Sequence, residues 1–212
     1  TTEIYTLSLH DALPISRPIS RHLPPHRSGT GKRAPSMARD AELVQKGIDL
    51  HARGQLDAAA SVYRTVLEGN PRQPDALHLL GLVHRQRGDL DKGRELIRQA
   101  IALYPGNPSY HFNLANIERA QGRLTEALGL FGAALELAPD HAMAALGRAQ
   151  VLNRLRRFGE AETAFRNLLA RRGDIGEAWA GLGVTMRARG RNEEAVEADR
   201  TALEREPKDV NA

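Results

Sequence analysis

A period of thirty-four residues runs through the chain and constrains its fold more than any other feature. Prolines recur 34, 34 and 68 residues apart, at Pro71, Pro105, Pro139 and Pro207. Glycines follow the same spacing, at Gly54, Gly88, Gly122 and Gly190. Small residues do so too, at Gly47, Gly81, Ala115, Ala149 and Gly183. A shared period of this length indicates a stack of similar units, each packing on its neighbours.

Each unit contains apolar residues at helical spacing, and its glycine divides it into two helices of similar length. The last unit shows the pattern most fully, with Trp179, Leu182-Gly183, Met186, Ala195 and Pro207. This pattern resembles the tetratricopeptide repeat, whose signature is W-x2-L-G-x2-Y, then A-x3-F, then P. We align five repeats, at residues 40–73, 74–107, 108–141, 142–175 and 176–209. The resemblance implies an all-α fold, a right-handed α-solenoid of five helix-turn-helix repeats.

Three sets of positions in the unit have a physical explanation. The eighth and twentieth residues are small, which lets the two helices of a repeat cross closely, and we expect a larger side chain there to overpack. The turn glycines suit a left-handed backbone at the end of the first helix. Large apolar residues at position 24 should fill the space between the helices, namely Tyr63, Ile97, Phe131 and Phe165.

Three departures from the pattern carry their own expectations. Repeat four has Arg156 in place of the turn glycine and Gly173 in place of the proline, so we expect less firmly set helix ends and a hinge there. Lys46 replaces the usual leucine at position seven, which suits a first repeat with no preceding neighbour. Asp199 replaces the aromatic residue at position 24, and this puts the packing of repeat five in doubt.

Residues 1–36 differ in composition from the repeats. They hold five Lys/Arg against two acidic residues and five of the eleven prolines, which indicates a disordered leader. Residues 1–15 resemble the translation of a short-read sequencing adapter, so we expect an artefactual leader before a start at Met37. An organellar targeting peptide is the alternative, although Pro18, Pro24 and Pro25 would interrupt its helix. Residues 210–212 match the start of a truncated sixth repeat, which suggests a gene fragment.

Composition excludes several classes of function. The chain has no cysteine, 4% aromatic residues and no long apolar run, which argues against thiolate chemistry, stacking on nucleic acid and a membrane-spanning helix. Residues after the leader include 25 basic and 24 acidic ones, so their net charge is close to zero. The folded part should therefore not bind nucleic acid. The histidines lack metal-ligand spacing, and we find no catalytic arrangement. We therefore expect a non-enzyme in the cytoplasm, with no cofactor, metal or membrane partner and with its oligomeric state open.

In the tetratricopeptide fold the first helix of each repeat lines the concave side, which implies a peptide-binding groove. Its candidate residues are Val44, His51, His78, Arg85, Phe112, Asn113, Asn116, Arg119, Leu146, Arg154 and Arg187. The arginines suggest an acidic or C-terminal peptide held by guanidinium forks. The alternative is that they only complement the helix dipole at the end of each first helix.

Asn113 and Asn116 resemble the asparagines lining the groove of O-linked N-acetylglucosamine transferase repeats. The other repeats do not continue the ladder, and the carboxylate clamp of chaperone-binding members is absent, with Phe112 and Gly147 at two of its positions. We expect a scaffold that binds a protein or peptide. The alternative is the N-terminal, substrate-presenting repeat region of a longer bacterial glycosyltransferase or sulfotransferase.

Overall fold

The structure, a computed structural model, describes residues 34–205, with side chains from residue 38 onward. The predictions made for residues 1–33 and for residues 206–212 lie outside this range. Helix α1 begins at Ala34, so residues 34–36, which we expected to belong to a disordered leader, are helical.

The described residues form ten α-helices and no strand. In chain order these are α1 (Ala34–Ala52), α2 (Leu56–Gly69), α3 (Pro74–Gln86), α4 (Leu90–Leu103), α5 (Pro108–Ala120), α6 (Leu124–Leu137), α7 (Ala142–Arg154), α8 (Phe158–Arg171), α9 (Gly176–Ala188) and α10 (Asn192–Arg205). Each repeat ends its first helix and begins its second at the same position. The predicted all-α solenoid of helical repeats is therefore confirmed.

The described residues divide into two compact units, which are described separately: unit 1 ends at Asn113 and unit 2 begins at Leu114. In unit 1, consecutive helices from α1 to α4 pack on each other, and the first helices α1 and α3 also touch. Tyr63 and Ile97 are fully buried between the helices of their repeats. A Cβ atom at Gly81 would lie 2.7 Å from Ile97 Cγ1 and 3.0 Å from the Gly93 carbonyl oxygen. The small residue is therefore required by the helix crossing, as predicted.

Unit 2 repeats this packing from α6 to α10, and its first helices α7 and α9 touch. Phe131 and Phe165 are fully buried. Gly147 lies against the preceding repeat, because a Cβ atom there would come within 2.7 Å of Phe131 Cε1. A side chain at position six of repeat four would collide with this ring. This contact explains why no clamp residue occupies that position.

Four glycines and one arginine end the first helices in the left-handed conformation. The glycines have φ between 71° and 81°, at Gly54, Gly88, Gly122 and Gly190. Arg156 takes the same conformation with φ 60°, and its guanidinium carbon lies 5.8 Å from the centre of the Phe158 ring. Repeat four therefore keeps the helix ends of the other repeats. Our expectation that its helix ends are less firmly set is wrong, because the turn tolerates an arginine in place of glycine.

Asp199 gives repeat five a polar contact where the other repeats have a large apolar one. Its carboxylate lies against Gly183 and forms an ion pair with Arg187. The buried residues of α10 are all alanines, Ala195, Ala198 and Ala202. Helix α10 still packs on α9, through small side chains and an ion pair rather than a ring.

Candidate functional site

The four candidate residues at position five of the repeats are buried. Val44, His78, Phe112 and Leu146 are each 1–4% exposed. Leu146 is part of the core cluster of unit 2, together with Phe165 and Leu182. We expected side chains at this position to line an open groove. In this structure they offer almost no surface, because packing removes them from solvent.

In unit 1, the first helices of successive repeats are joined by hydrogen bonds between residues thirty-five apart. His51 Nε2 lies 3.1 Å from Gln86 Oε1, and Asn113 Nδ2 lies 3.0 Å from His78 Nε2. The hydroxyl of Tyr110 donates to a carboxylate oxygen of Asp75. The separation is one residue longer than the period, so each bond reaches from one repeat into the next.

His78 lies at the centre of this arrangement. Its ring centre is 4.6 Å from that of Tyr110, with the two planes tilted by 35°. Burial lowers the pKa of His78 to about 3, and the nearby positive charge of Arg85 acts in the same direction. His78 is therefore neutral at physiological pH, and its Nε2 accepts the hydrogen bond from the Asn113 amide.

His51 is the second histidine held neutral by its surroundings. Burial lowers its pKa and Arg85 adds to this effect, while the hydrogen bond to Gln86 opposes it. Arg85 is half-buried and lies close enough to act on both histidines. Three candidate residues of unit 1, His51, His78 and Arg85, are thus brought together in one electrostatic environment.

Some buried polar atoms in unit 1 lack any hydrogen-bond partner within the described part of the chain. They are His51 Nδ1, Tyr63 Oη, His111 Nδ1 and Asn113 Oδ1. Two of them, His51 Nδ1 and Asn113 Oδ1, belong to candidate residues on first helices. An unpaired buried polar atom costs roughly 1–3 kcal/mol, and native proteins contain few of them. Within the described residues, the structure therefore leaves these two buried atoms unsatisfied.

In unit 2, the candidate arginines donate to groups of the chain itself. Arg119 donates to Gln150 and, at 3.0 Å, to Asn116 Oδ1. Arg154 donates to the carbonyl oxygen of Arg119 at 3.3 Å. Arg187 is paired with Asp199 of the same repeat. The bonds of Arg119 to Gln150 and of Arg154 to Arg119 link neighbouring first helices, and the Arg187–Asp199 pair links the two helices of repeat five, whereas the bond to Asn116 lies within α5.

A second polar link of unit 2 was not anticipated. Asn153 Nδ2 donates to the Gly181 carbonyl oxygen at 3.1 Å, and Thr185 Oγ1 donates to Asn153 Oδ1 at 2.9 Å. Gln86 and Gln150, the partners of His51 and Arg119, were not predicted either. His51 and Gln86 are thirty-five residues apart, one more than the period. Pairs of polar residues with this separation would have indicated the contact.

Two further predictions concern metals and membranes. Residues 34–205 contain no group of three or more His, Cys, Asp or Glu side chains that could hold a metal ion. Within the same range, none of the helices is long and apolar enough to cross a membrane.

Comparison with known proteins identifies the fold. A family profile described as tetratricopeptide repeat matches residues 44–108, 112–162 and 154–210. The crystal structure of MamA superposes with a TM-score of 0.70 at 21% identity, covering 76% of this chain and 94% of that one. YrrB, a tetratricopeptide protein described as having an unusual peptide-binding site, gives 0.70 at 17% identity, covering 85% and 95%.

A thermophilic tetratricopeptide protein of Thermus thermophilus, TTC0263, gives a TM-score of 0.60 at 27% identity, covering 81% of this chain and 94% of that one. A search of curated proteins finds no match. The profile match spans most of the repeat region and agrees with the helix positions of the structure. The chain therefore belongs to the tetratricopeptide repeat family.

Proposed function

We propose that this protein is an interaction scaffold that binds an extended peptide or protein segment along the first helices of its repeats. The observation that carries the proposal is the stack of tetratricopeptide repeats, in which first helices of successive repeats touch within each unit. An extended main chain presents hydrogen-bonding groups at regular intervals and can bind along such a stack of helices. The peptide-binding site named for YrrB supports the same use of the fold.

Arg85 gives the proposed site of unit 1 a positive charge beside two neutral histidines. We infer that a carbonyl or carboxylate oxygen of the bound segment lies near its guanidinium, which donates well to both. The partner is a protein rather than a nucleic acid, because the chain without its leader has a net charge of only +1. A cytoplasmic location stays a prediction.

Selection of peptides on the full chain tests the proposal. A phage library of random ten-residue peptides is selected on the immobilised protein, and the chosen peptide is labelled and titrated by fluorescence anisotropy. We expect Arg85→Glu to raise the Kd by about tenfold or more, because charged hydrogen bonds contribute about 1.5–3 kcal/mol. Arg64→Glu is the matched control, since Arg64 is exposed on the second helix α2. Equal effects of the two variants, or no selected peptide, would contradict the proposal.

The alternative of a substrate-presenting region in a longer glycosyltransferase or sulfotransferase also stays a prediction. Reading the genomic frame beyond Ala212 tests it directly. A nucleotide-sugar or sulfonate-donor domain in that frame would support the alternative, and it would leave the binding role of the repeats unchanged.

A further inference from the structure

Repeat five presents an uncovered apolar surface on α9 and α10. Five large apolar side chains are exposed among residues 38–205, and three of them belong to this repeat. Val184 of α9 is 50% exposed, and Val196 and Leu203 of α10 are 64% and 68% exposed. Single exposed apolar residues need no explanation, but several on one pair of helices indicate an interaction surface.

The same positions are covered in every earlier repeat. Position 28 of the unit is occupied there by apolar residues that are half-buried or buried: Leu67, Ile101, Leu135 and Leu169. Leu169 is only 9% exposed, because it packs in the core cluster with Leu182 and Met186 of the following helix α9. Leu203 has the same position in repeat five, and no helix of the described residues covers it. Helix α10 therefore has the composition of an interface helix.

The exposed stripe of α10 is symmetric about its middle. Val196 and Leu203 are seven residues apart, which is about two turns, so they lie on one side of the helix. Asp199 and Arg200 lie between them on the same side, with side chains 38% and 68% exposed. The order along the stripe is apolar, acidic, basic, apolar.

This order is self-complementary when two α10 helices run antiparallel. Around a two-fold axis between residues 199 and 200, Val196 of each copy faces Leu203 of the other, and Asp199 of each copy faces Arg200 of the other. Every contact then occurs twice, as in all two-fold interfaces. Apolar groups meet apolar groups, and each acid meets a base.

The charged groups of the stripe can form these contacts without losing their present partners. Asp199 forms an ion pair with Arg187, and Arg200 lies 2.7 Å from Glu197. A carboxylate can accept several hydrogen bonds, and a guanidinium group can donate up to five. Antiparallel pairing thus adds charge contacts and buries no unpaired charge.

Helix α1 of a second copy would cover the stripe less well. Among residues 38–52, none of the large apolar side chains is exposed. The exposed side chains there are mostly charged or polar, namely Arg39, Glu42, Gln45, Lys46 and Asp49. Burying such groups against Val196 and Leu203 costs free energy unless each finds a partner. The stripe of α10 is therefore the better partner for itself.

We propose that the protein forms a two-fold dimer in which α10 of one copy packs antiparallel against α10 of the other, with Val184 of α9 at the edge of the contact. The dimer does not depend on the proposed peptide binding, which involves residues of unit 1. Each copy contributes one pair of helices, so the interface is small. Association should therefore be transient, with a Kd in the micromolar range.

Sedimentation velocity of the full chain between about 1 and 500 μM tests the association. We expect the wild type to pass from monomer to dimer and no further, because a two-fold contact closes on itself. Leu203→Glu should raise the dimer Kd by about tenfold or more, since each dimer then buries two carboxylates against Val196. Leu137→Glu is the matched control in unit 2, because Leu137 is 45% exposed and lies on α6, outside the stripe. Circular dichroism establishes that both variants are folded.

Disulfide cross-linking tests the antiparallel register, since the chain contains no cysteine. Val196→Cys and Leu203→Cys are prepared separately, one of them with a mass tag, and are then mixed and oxidised. In the proposed dimer the two different thiols face each other. Identical thiols lie about 10 Å apart along the helices, which is too far for a disulfide. We expect the mixed disulfide to exceed the proportion that random pairing gives.

Three results would overturn the proposal. The first is a chain that stays monomeric over this range; a loss of thermal stability in Leu203→Glu would then indicate that residues beyond Arg205 cover α10. The second is a species larger than the dimer, or a predominance of disulfides between identical variants, because either indicates a contact of different geometry. The third is an equal Kd for Leu203→Glu and Leu137→Glu, which would remove α10 from the interface.

Discussion

Asn113 donates a hydrogen bond from Nδ2 to Nε2 of His78 at 3.0 Å, across thirty-five residues of sequence. The same separation joins His51 to Gln86 and, in unit 2, Arg154 to the carbonyl oxygen of Arg119. In each case the bond connects the first helices of consecutive repeats. Polar side chains on these helices therefore add directional links to an interface that is otherwise made by apolar packing.

The buried His78 should make the stability of the protein depend on pH. Its pKa is about 3 in the folded chain against 6.5 in the unfolded one, so between these values the unfolded state binds more protons. The free energy of unfolding should then be highest above pH 6.5. It should fall toward pH 3, by up to about 1.4 kcal/mol per pH unit. Urea titrations at pH 7, 6, 5 and 4 measure it.

His78→Phe provides the control for this prediction, because it keeps a ring against Tyr110 and removes the titrating group. The variant should lose some stability at pH 7 through the unpaired Asn113 amide, and its stability should depend less on pH. His51, whose pKa is also lowered, contributes in the same direction and keeps part of the slope. Equal slopes for the variant and the wild type would contradict the assignment to His78.

Enlarging Gly81 should destabilise unit 1. Gly81→Leu forces a side chain against Ile97 and the Gly93 carbonyl group, and we expect a cost of about 1–3 kcal/mol by overpacking. Gly129 is the matched control within a helix, since nothing lies within 4 Å of a Cβ atom there. Gly129→Ala should stabilise the protein by about 0.5–1 kcal/mol. Thermal melts of both variants check the contrast, and an unchanged melting temperature for Gly81→Leu would refute the packing argument.

Replacing Arg156 by glycine should raise the stability of unit 2. A left-handed backbone costs a residue with a side chain about 1–2 kcal/mol, and the contact with Phe158 returns about 0.5–1 kcal/mol. We therefore expect Arg156→Gly to gain about 0.5 kcal/mol. The reciprocal change Gly88→Arg, at φ 81°, should lose about 1 kcal/mol. A lower urea midpoint for Arg156→Gly would show that its ring contact dominates.

Two carboxylates on α8 should differ sharply in their contribution to stability. Glu162 is 9% exposed and accepts hydrogen bonds from Arg166 at 3.0 Å, from Arg191 at 2.8 Å and from Arg189. Glu160 is exposed and its side chain is paired with Arg157. Glu162→Ala should cost about 2–3 kcal/mol, because it removes hydrogen bonds to charged groups, and Glu160→Ala less than about 1 kcal/mol. Similar urea midpoints for the two variants would contradict the argument.

The repeat fold was predictable because its determinants are local and repeated. Gly81 indicated a close crossing, and Tyr63 and Phe131 indicated the residues that fill it. The predictions for all three residues are confirmed, because side-chain volume at a periodic position decides how closely two helices pack. Arg156 was misjudged for a different reason: the sequence showed the missing glycine, but whether a side chain tolerates the turn depends on the surrounding structure.

The candidate site was less predictable. The sequence placed His51, His78 and Arg85 on first helices, but it did not show that the histidines would be buried and neutral. Period, helix ends and core positions follow from the order of the residues alone, because each depends on neighbours within one repeat. Partners, burial and protonation were decided by the tertiary structure, since a polar atom's free energy depends on groups brought to it from the next repeat.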